Sequence, residues 1–323
     1  MATGIGSLPG TDMAEAVRLV TDELSDFVHL PELPARGPAA TMTGRAVALL
    51  VGLGADLQPA GWRLTGGPGV DQRRARSLLA QDLDLLEEHA QGYVGPLKVQ
   101  VTGPWTLAAT MERPRGDRVL ADHGARRELA ESLAEGVLVH VDDVRRRVPR
   151  AQVVVQVDEP LLPAVLAAAV PTASGFGRHR SVDAPVAVAG LRTVADAVVA
   201  AGARPVAHVC APLIPVPLLV RAGFGAIAYD AALVTPVDDW ALALEAGVDL
   251  WPGVVPSTEP AAEVRDTALV EDLLRFLDAL GVDAQQLAGR LVVTPACGLA
   301  GATQTWVRRA LLLLRGVAAA LAG

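Results

Sequence analysis

Two residue classes are scarce in this chain of 323 residues: cysteine, with two copies, and the aromatic residues, which make up 3% of it. So few aromatic side chains argue against the stacking platforms by which many proteins bind single-stranded nucleic acids. Long apolar runs are also missing, because Pro and Gly interrupt them short of the ~20 residues that a membrane helix needs. We therefore expect neither a nucleic acid nor a membrane as a partner.

Positive charge is in deficit: 28 Lys and Arg residues face 36 Asp and Glu residues, which gives a formal net charge of −8. Such a chain repels phosphate backbones and anionic membrane surfaces. The opening stretch MATGIGSLPG lacks the basic region and apolar run of a secretory signal, so we expect a cytoplasmic protein. In that compartment Cys210 and Cys297 are better explained as metal ligands or free thiols than as a disulfide, which is the alternative.

Short β-branched runs alternate with segments of helical spacing along the whole chain. Eight runs are predicted strands: TGIGS (3–7), FVHLPE (27–32), LKVQVTG (97–103), QVVVQVDE (152–159), RPVAHVC (204–210), GAIAYD (225–230), VDLWPGV (248–254) and RLVVTPAC (290–297). Residues 12–24, 125–147 and 270–280 are examples of the predicted helices. Eight such units predict an α/β fold, a (β/α)8 TIM barrel, with a doubly wound open sheet as the alternative.

The candidate catalytic and metal-binding residues favour the barrel over the open sheet. All of them fall at the carboxyl ends of predicted strands, and a barrel gathers these ends around one mouth. They are Ser7, Glu32, Asp158, Glu159, His208, Cys210, Asp230 and Cys297. We expect residues 1–323 to form a single barrel domain. Its long connections at about 34–96 and 171–190 contain irregular Gly- and Pro-rich stretches and are candidate lids over the mouth.

His208 and Cys210 lie two residues apart on a predicted strand, so both side chains leave the same face. Cys297 and Asp230 end two other strands, and a buried carboxylate is rare unless it is paired or bound to a cation. Zinc prefers nitrogen and sulfur ligands in a tetrahedron. The sequence therefore predicts Zn²⁺ bound by these four residues. The alternatives are a buried histidine and thiol of the core, and an Asp230 that pairs with an arginine or with loop amides.

Six motifs, in order along the chain, resemble the cobalamin-independent methionine synthases, specifically their catalytic C-terminal barrel and their short, single-barrel members. They are GIGSLPGT (4–11), PELPARGPAATMTGRA (31–46), VTGPWTL (101–107), QVDEPLL (156–162), HVC (208–210) and PACGL (295–299). The last two resemble the zinc-binding segments of that family. In this chain Asp230 would take the place where the family usually has Glu, so either a shorter side chain has to reach the metal or a water molecule fills the gap.

The resemblance also implies a subsite for an amino acid. The backbone of Ile5, Gly6 and Ser7 is expected to hold the carboxylate of a thiol substrate, and Glu32 and Asp158 to receive its ammonium group. The two carboxylates are then the catalytic pair, acting by orientation and not by proton transfer. The alternatives are a helix-capping loop for Ser7, a turn carboxylate for Glu32 and a strand-end ion pair for Asp158.

The implied activity is zinc-dependent transfer of a methyl group to the thiol of homocysteine, which forms methionine. The resemblance covers only the catalytic half, so we expect the chain to act without the second half with which full-length family members hold methylfolate. Two donors stay open: a methylcorrinoid, free or on a corrinoid protein, and a methylfolate. Alkyl transfer to a different thiol and a non-catalytic, zinc-stabilised binding protein are the alternative functions.

Overall fold

The computed structural model describes residues 1–287 and 289–322. Its strands are β1 Val28–His29, β2 Gly54–Gln58, β3 Gly61–Thr65, β4 Gly95–Thr102, β5 Ala151–Asp158, β6 Arg204–Val209, β7 Ala226–Asp230, β8 Asp249–Val255 and β9 Thr294–Pro295. All except β2 and β3 form one curled sheet in the order β1-β4-β5-β6-β7-β8-β9, and every pair in it is parallel.

The N-terminal segment, residues 2–7, joins the two edges of this sheet. Ala2 forms a parallel bridge to Val293 beside β9, and Ser7 forms one to Glu32 beyond β1. The segment therefore takes the position of the eighth strand, and the fold is a TIM-like barrel. The predicted fold class is confirmed, and each of the eight predicted strands corresponds to a segment of the barrel wall.

Helices cover the outside of the sheet. Within the described ranges they are α1 Met13–Glu23, α2 Met42–Leu49, α3 Val70–His89, α4 Pro104–Thr110, α5 His123–Arg147, α6 Leu162–Leu166, α7 Ala184–Ala200, α8 Val216–Ala222, α9 Asp238–Glu245, α10 Asp266–Ala279 and α11 Gln304–Ala320. The three helices predicted as examples correspond to α1, α5 and α10. Across the part of the chain that the structure describes, none combines the length and the apolar character needed to span a membrane.

The connection at 34–96 is more regular than its Gly and Pro content suggests. It contains α2, α3 and an antiparallel hairpin of β2 and β3, in which Gly54 pairs with Thr65 and Gln58 with Gly61. In β3, Trp62 and Leu64 are buried while their neighbours are more exposed, which is the two-residue period of a strand. The connection predicted at 171–190 ends earlier than predicted, because α7 begins at Ala184.

The barrel interior has an apolar floor, separate from the larger core between the sheet and the helices. The floor consists of Ile5, Phe27, Val154, Val206, Ala226, Ala228, Trp251 and Val292. Because every second residue of a strand faces the same side, Gln156 and Asp158 follow Val154 along the interior face of β5. The interior therefore changes from apolar to polar toward the carboxyl ends of the strands, where the predicted site lies.

The packing of α5 against α2 depends on a glycine. A Cβ added at Gly136 would lie 1.9 Å from the carbonyl oxygen of Leu49. Gly136→Ala should therefore lower the free energy of unfolding by about 1–3 kcal/mol through overpacking, although alanine normally stabilises a helix by up to about 1 kcal/mol. Urea denaturation measures the effect. The control is Gly124→Ala in the first turn of α5, where the nearest atom would lie at 3.3 Å. Equal stability of the two variants would contradict this packing.

Candidate active site

Three of the four predicted metal ligands meet at the carboxyl rim of the barrel. The ligand atoms of His208, Cys210 and Cys297 all lie within 4.8 Å of one another. The two Sγ atoms are 2.8 Å apart, and both cysteines are free thiols. Residues separated by 87 positions of the chain thus converge on one point.

The imidazole of His208 is held in a defined orientation. It is 3% exposed, and its Nδ1 donates to Asp158 Oδ1 at 2.7 Å. Its Nε2 is buried and has no hydrogen-bond partner among the described residues. A buried polar atom without a partner is rare, and a carboxylate on the second ring nitrogen is the usual partner of a metal-binding histidine. One nitrogen and two sulfurs are the donor set that zinc prefers, so these residues fit a zinc ion.

The electrostatics around the sulfurs favour one thiolate and one thiol. The Cys210 thiol and the His208 ring lower the pKa of Cys297, while the same sulfur–sulfur contact and burial raise the pKa of Cys210. Burial by itself would lower the pKa of His208, but the hydrogen bond to Asp158 and the Cys297 sulfur raise it to about 9. A thiolate at neutral pH is the form of cysteine that binds a metal.

Asp230 lies beside this cluster and outside it. Its carboxylate is not among the atoms that share the 4.8 Å separation. Oδ1 accepts a hydrogen bond from Ala232 N at 2.9 Å, which starts the short 3-10 helix Ala231–Leu233. Burial raises the pKa of Asp230, as does the nearby Cys297 sulfur, while His208 lowers it. The structure therefore contains the loop-amide contact that the sequence left as an alternative, and a role of Asp230 as a ligand stays a prediction.

Glu32 is buried in a chain of ion pairs that sequence analysis missed. Its Oε1 accepts from Arg45 Nε at 3.0 Å, Arg45 also binds Asp82 at 2.6 Å, and Asp82 binds Arg36. Burial raises the pKa of Glu32 against the opposing effect of Arg45, and Asp158 raises it further. The two predicted ammonium-binding carboxylates are therefore close enough to interact electrostatically. The presence of Arg45 in the same motif as Glu32, 31–46, was the one signal in the sequence for the ion pair between these two residues.

Each of these carboxylates keeps one oxygen free of protein hydrogen bonds. Asp158 Oδ1 accepts from both His208 and Gln156, and Glu32 Oε1 accepts from Arg45. From the residues that the structure describes, no hydrogen bond reaches Asp158 Oδ2 or Glu32 Oε2. The side chains of Glu32 and Asp158 are 10% and 12% exposed, so both carboxylates are largely shielded from bulk solvent. A cationic group between them would find two acceptors.

Unpaired backbone donors lie on the segment predicted to hold a carboxylate. The N–H groups of Ile5, Gly6 and Ser7 donate to no residue within 1–287 and 289–322. Ser7 lies close to the segment that carries Cys297, because a Cβ added at Gly298, the next residue, would lie 2.0 Å from Ser7 Oγ. Buried N–H groups without a partner are uncommon in proteins. These N–H groups can donate hydrogen bonds to an anionic oxygen.

Glu159, the neighbour of Asp158, links two of the motifs. Its fully buried carboxylate accepts from Trp105 N at 2.8 Å, and from Thr106 N and Oγ1 at 2.8 and 2.7 Å, at the start of α4. A Cβ at Gly103 would come within 2.4 Å of this carboxylate. Glu159 belongs to the Asp-Glu-Pro segment of the motif 156–162 (the D-E-P motif), and Gly103 to the Thr-Gly-Pro segment of the motif 101–107 (the T-G-P motif). The Glu of the D-E-P motif thus caps the helix that the T-G-P motif begins, and the glycine leaves room for it.

The fold and the site define a TIM-like barrel with a potential His/Cys/Cys metal site at its carboxyl rim. The family described as "Cobalamin-independent synthase, Catalytic domain" matches residues 93–320. This match covers more than half of the chain, so the chain belongs to that family, and the family predicted from the motifs is confirmed. Four of the six motifs lie within the matched range. Among curated proteins, no sequence matches the chain.

Solved structures with a similar fold were also found. A B12-independent methionine synthase from Shewanella sp. W3-18-1, solved in complex with selenomethionine, superposes with a TM-score of 0.64 at 14% identity, over 99% of this chain and 97% of that one. At this identity the likeness shows the shared fold. The carboxyl transferase domain of Rhizobium etli pyruvate carboxylase, also 14% identical, has a TM-score of 0.33 over 99% of this chain and 48% of that one, which is too low to support an argument.

Glu159 should make stability depend on pH. Burial raises its pKa from 4.5 to about 7, against the opposing hydrogen bonds from Thr106 and Trp105. The folded state then binds more protons than the unfolded state between these values, so this contribution to stability is complete below pH 4.5 and is lost as the pH rises through 7. Glu159→Gln removes the titration. The stability of the natural protein relative to this variant should therefore fall by up to about 3 kcal/mol across the window. Chemical denaturation at several pH values measures this, and parallel pH profiles would refute the assignment.

Proposed function

We propose that this protein transfers a methyl group to the thiol of homocysteine and so forms methionine, with Zn²⁺ bound by His208, Cys210 and Cys297. The observation that carries the proposal is the cluster of one nitrogen and two sulfurs beside two buried carboxylates. Membership of the family supports the same reading. So does the Shewanella enzyme, because the selenomethionine in its complex is an analogue of the proposed product.

The protein's own residues would bind the amino-acid part of the substrate. The free oxygens of Glu32 and Asp158 would accept hydrogen bonds from the ammonium group, and the unpaired N–H groups of residues 5–7 would donate to the carboxylate. Both ends are then fixed, and the thiol is directed toward the sulfur cluster. Such positioning lowers the entropic cost of the transfer.

A zinc ion in this site would supply a Lewis acid that keeps the substrate thiol in its thiolate form at neutral pH. In the transfer, the substrate sulfur donates an electron pair to the methyl carbon, and the donor keeps the electron pair of the bond that breaks. The thiol proton leaves beforehand, to solvent. Asp158 fixes the orientation of His208, so it serves both the ligand set and the amino-acid subsite.

We also propose that residues 1–323 act as one domain, because a single apolar cluster extends from Ala2 to Val317.

The methyl donor remains open between a methylcorrinoid, free or on a corrinoid protein, and a methylfolate. Incubation of the zinc-loaded protein with homocysteine and each donor in turn, followed by quantification of methionine, tests both the activity and the identity of the donor. Absence of methionine with every donor would contradict the proposed function.

Replacement of Cys297 by Ser should remove bound zinc and methyl transfer together, because a hydroxyl does not replace a thiolate on zinc. Metal analysis and the methionine assay measure the two effects. A charge-transfer band that changes when homocysteine is added to the cobalt-substituted natural protein would report direct binding of the thiol. Retained zinc with full activity in Cys297→Ser would refute the ligand assignment. A band that responds only to another thiol would redirect the substrate assignment.

Asp230→Asn tests the proposed fourth ligand. Asparagine keeps the hydrogen bond to Ala232 N that starts the 3-10 helix, because Asn caps helices as well as Asp does. It lacks the negative charge that favours a metal. If Asp230 is a ligand, zinc affinity measured by competition with a chelator should fall by roughly tenfold or more, as for other partners of a metal site. Unchanged affinity would leave Asp230 with the loop role alone.

A further inference from the structure

Lys98 is a fully buried lysine in the barrel interior, and neither the sequence motifs nor the proposed function gives it a role. It lies on β4 beside His29 of β1. Its Nζ donates to the carbonyl oxygen of Ile5 at 2.9 Å and to Gln156 Oε1 at 2.7 Å. With the amide of Gln100 oriented to satisfy both of its atoms, Gln100 Oε1 is a third acceptor at 2.8 Å. Three acceptors match the three donors of an ammonium group.

Gln156 continues this network toward the mouth. Its Nε2 donates to the Ile5 carbonyl at 2.9 Å and to Asp158 Oδ1 at 2.8 Å. Asp158 in turn holds His208. One buried chain of hydrogen bonds therefore runs from Lys98 through Gln156 to Asp158, and both of its first members hold the same carbonyl of the N-terminal segment.

The hydrogen bonds from Lys98 and Gln156 to the Ile5 carbonyl determine the direction of the N–H of the next residue, Gly6. In a trans peptide the C=O and the N–H point in opposite directions. Because the Ile5 carbonyl is directed to Lys98 and Gln156 in the interior, the N–H of Gly6 is directed away from them. Gly6 has φ of 147°, and a Cβ there would lie 3.0 Å from the side chain of Gln100. The orientation of this peptide therefore requires a glycine at position 6. It also depends on the side chains of Lys98 and Gln156, which bind the Ile5 carbonyl.

We propose that Lys98 and Gln156 are positioning residues that set the distance between the two ends of the amino-acid subsite. The inference rests on the proposed function. Through the Ile5 carbonyl they fix the backbone donors for the carboxylate, and through Asp158 they fix an acceptor for the ammonium group. The charge of Lys98 also interacts electrostatically with Asp158 and Glu32. Burial lowers the pKa of Lys98 to about 7, against the opposing effect of these two carboxylates. A lysine kept at such a cost is consistent with a role beyond packing.

The test is a ligand series on the zinc-loaded, full-length protein, measured by calorimetry. The ligands are methionine, its analogue without the amino group, 4-(methylthio)butanoate, and its analogue without the carboxylate, 3-(methylthio)propylamine. The natural protein should bind methionine at least about tenfold more tightly than either analogue, because each analogue leaves buried polar groups unpaired. Lys98→Met and Gln156→Leu should lose about tenfold in methionine affinity. Their affinity for the analogues should change little, so that the discrimination shrinks.

Gln72→Leu is the matched control. It also removes a buried amide, one that binds Val47 O, Leu53 O and Ala55 N. It should lower stability and keep the discrimination. If Lys98→Met does not fold, the Gln156→Glu variant is tested in its place. Glutamate at position 156 keeps the acceptor oxygen for Lys98 and lacks both N–H donors of glutamine. Full discrimination in the Lys98 and Gln156 variants would overturn this inference and leave the proposed function intact. A natural protein that binds neither methionine nor homocysteine would overturn the proposed function as well.

Discussion

Closure of the barrel by residues 2–7 is the constraint on which the site depends. An open sheet would leave β1 and β9 as distant edges, with Glu32 and Cys297 far apart. The bridges from Ala2 to Val293 and from Ser7 to Glu32 join these edges. The hydrogen bond from Leu299 N to Ser7 O, at 2.7 Å, adds a contact two residues beyond Cys297. The proposed amino-acid subsite and the sulfur cluster therefore share one rim, because a short, irregular segment completes the wall.

The polar residues around this rim are costly to bury, and their arrangement indicates why they are kept. Removing a charge from water costs several kcal/mol unless partners compensate for it. Glu32 is compensated by Arg45, which also pairs with Asp82, and Lys98 donates hydrogen bonds to the Ile5 carbonyl and to Gln156 Oε1. A purely structural barrel fills these positions with apolar side chains, as the floor of this one does. The polar layer lies where the strands end, which is where barrel enzymes bind their substrates.

Much of this architecture was predictable from the sequence, because alternating strand and helix patterns and the parity of His208 and Cys210 are local signals. The hairpin of β2 and β3 was missed, since Gly and Pro hid the alternation of Trp62 and Leu64. The partners of Glu32 and Ile5 could not be predicted either. Arg45, Asp82 and Lys98 look like surface residues in a linear sequence, and only the closed barrel and the packing of α2 on α3 bury them.

The D-E-P motif shows how one short motif can serve two purposes. Asp158 and Glu159 are adjacent, so their side chains leave β5 in opposite directions. Asp158 faces the interior and holds His208, whereas Glu159 faces outward and caps α4 behind the T-G-P motif. A motif shared within a family therefore does not identify both of its carboxylates as participants in the chemistry. The distinction follows from strand parity, since only the residue on the interior face can reach His208 and the sulfur cluster at the rim.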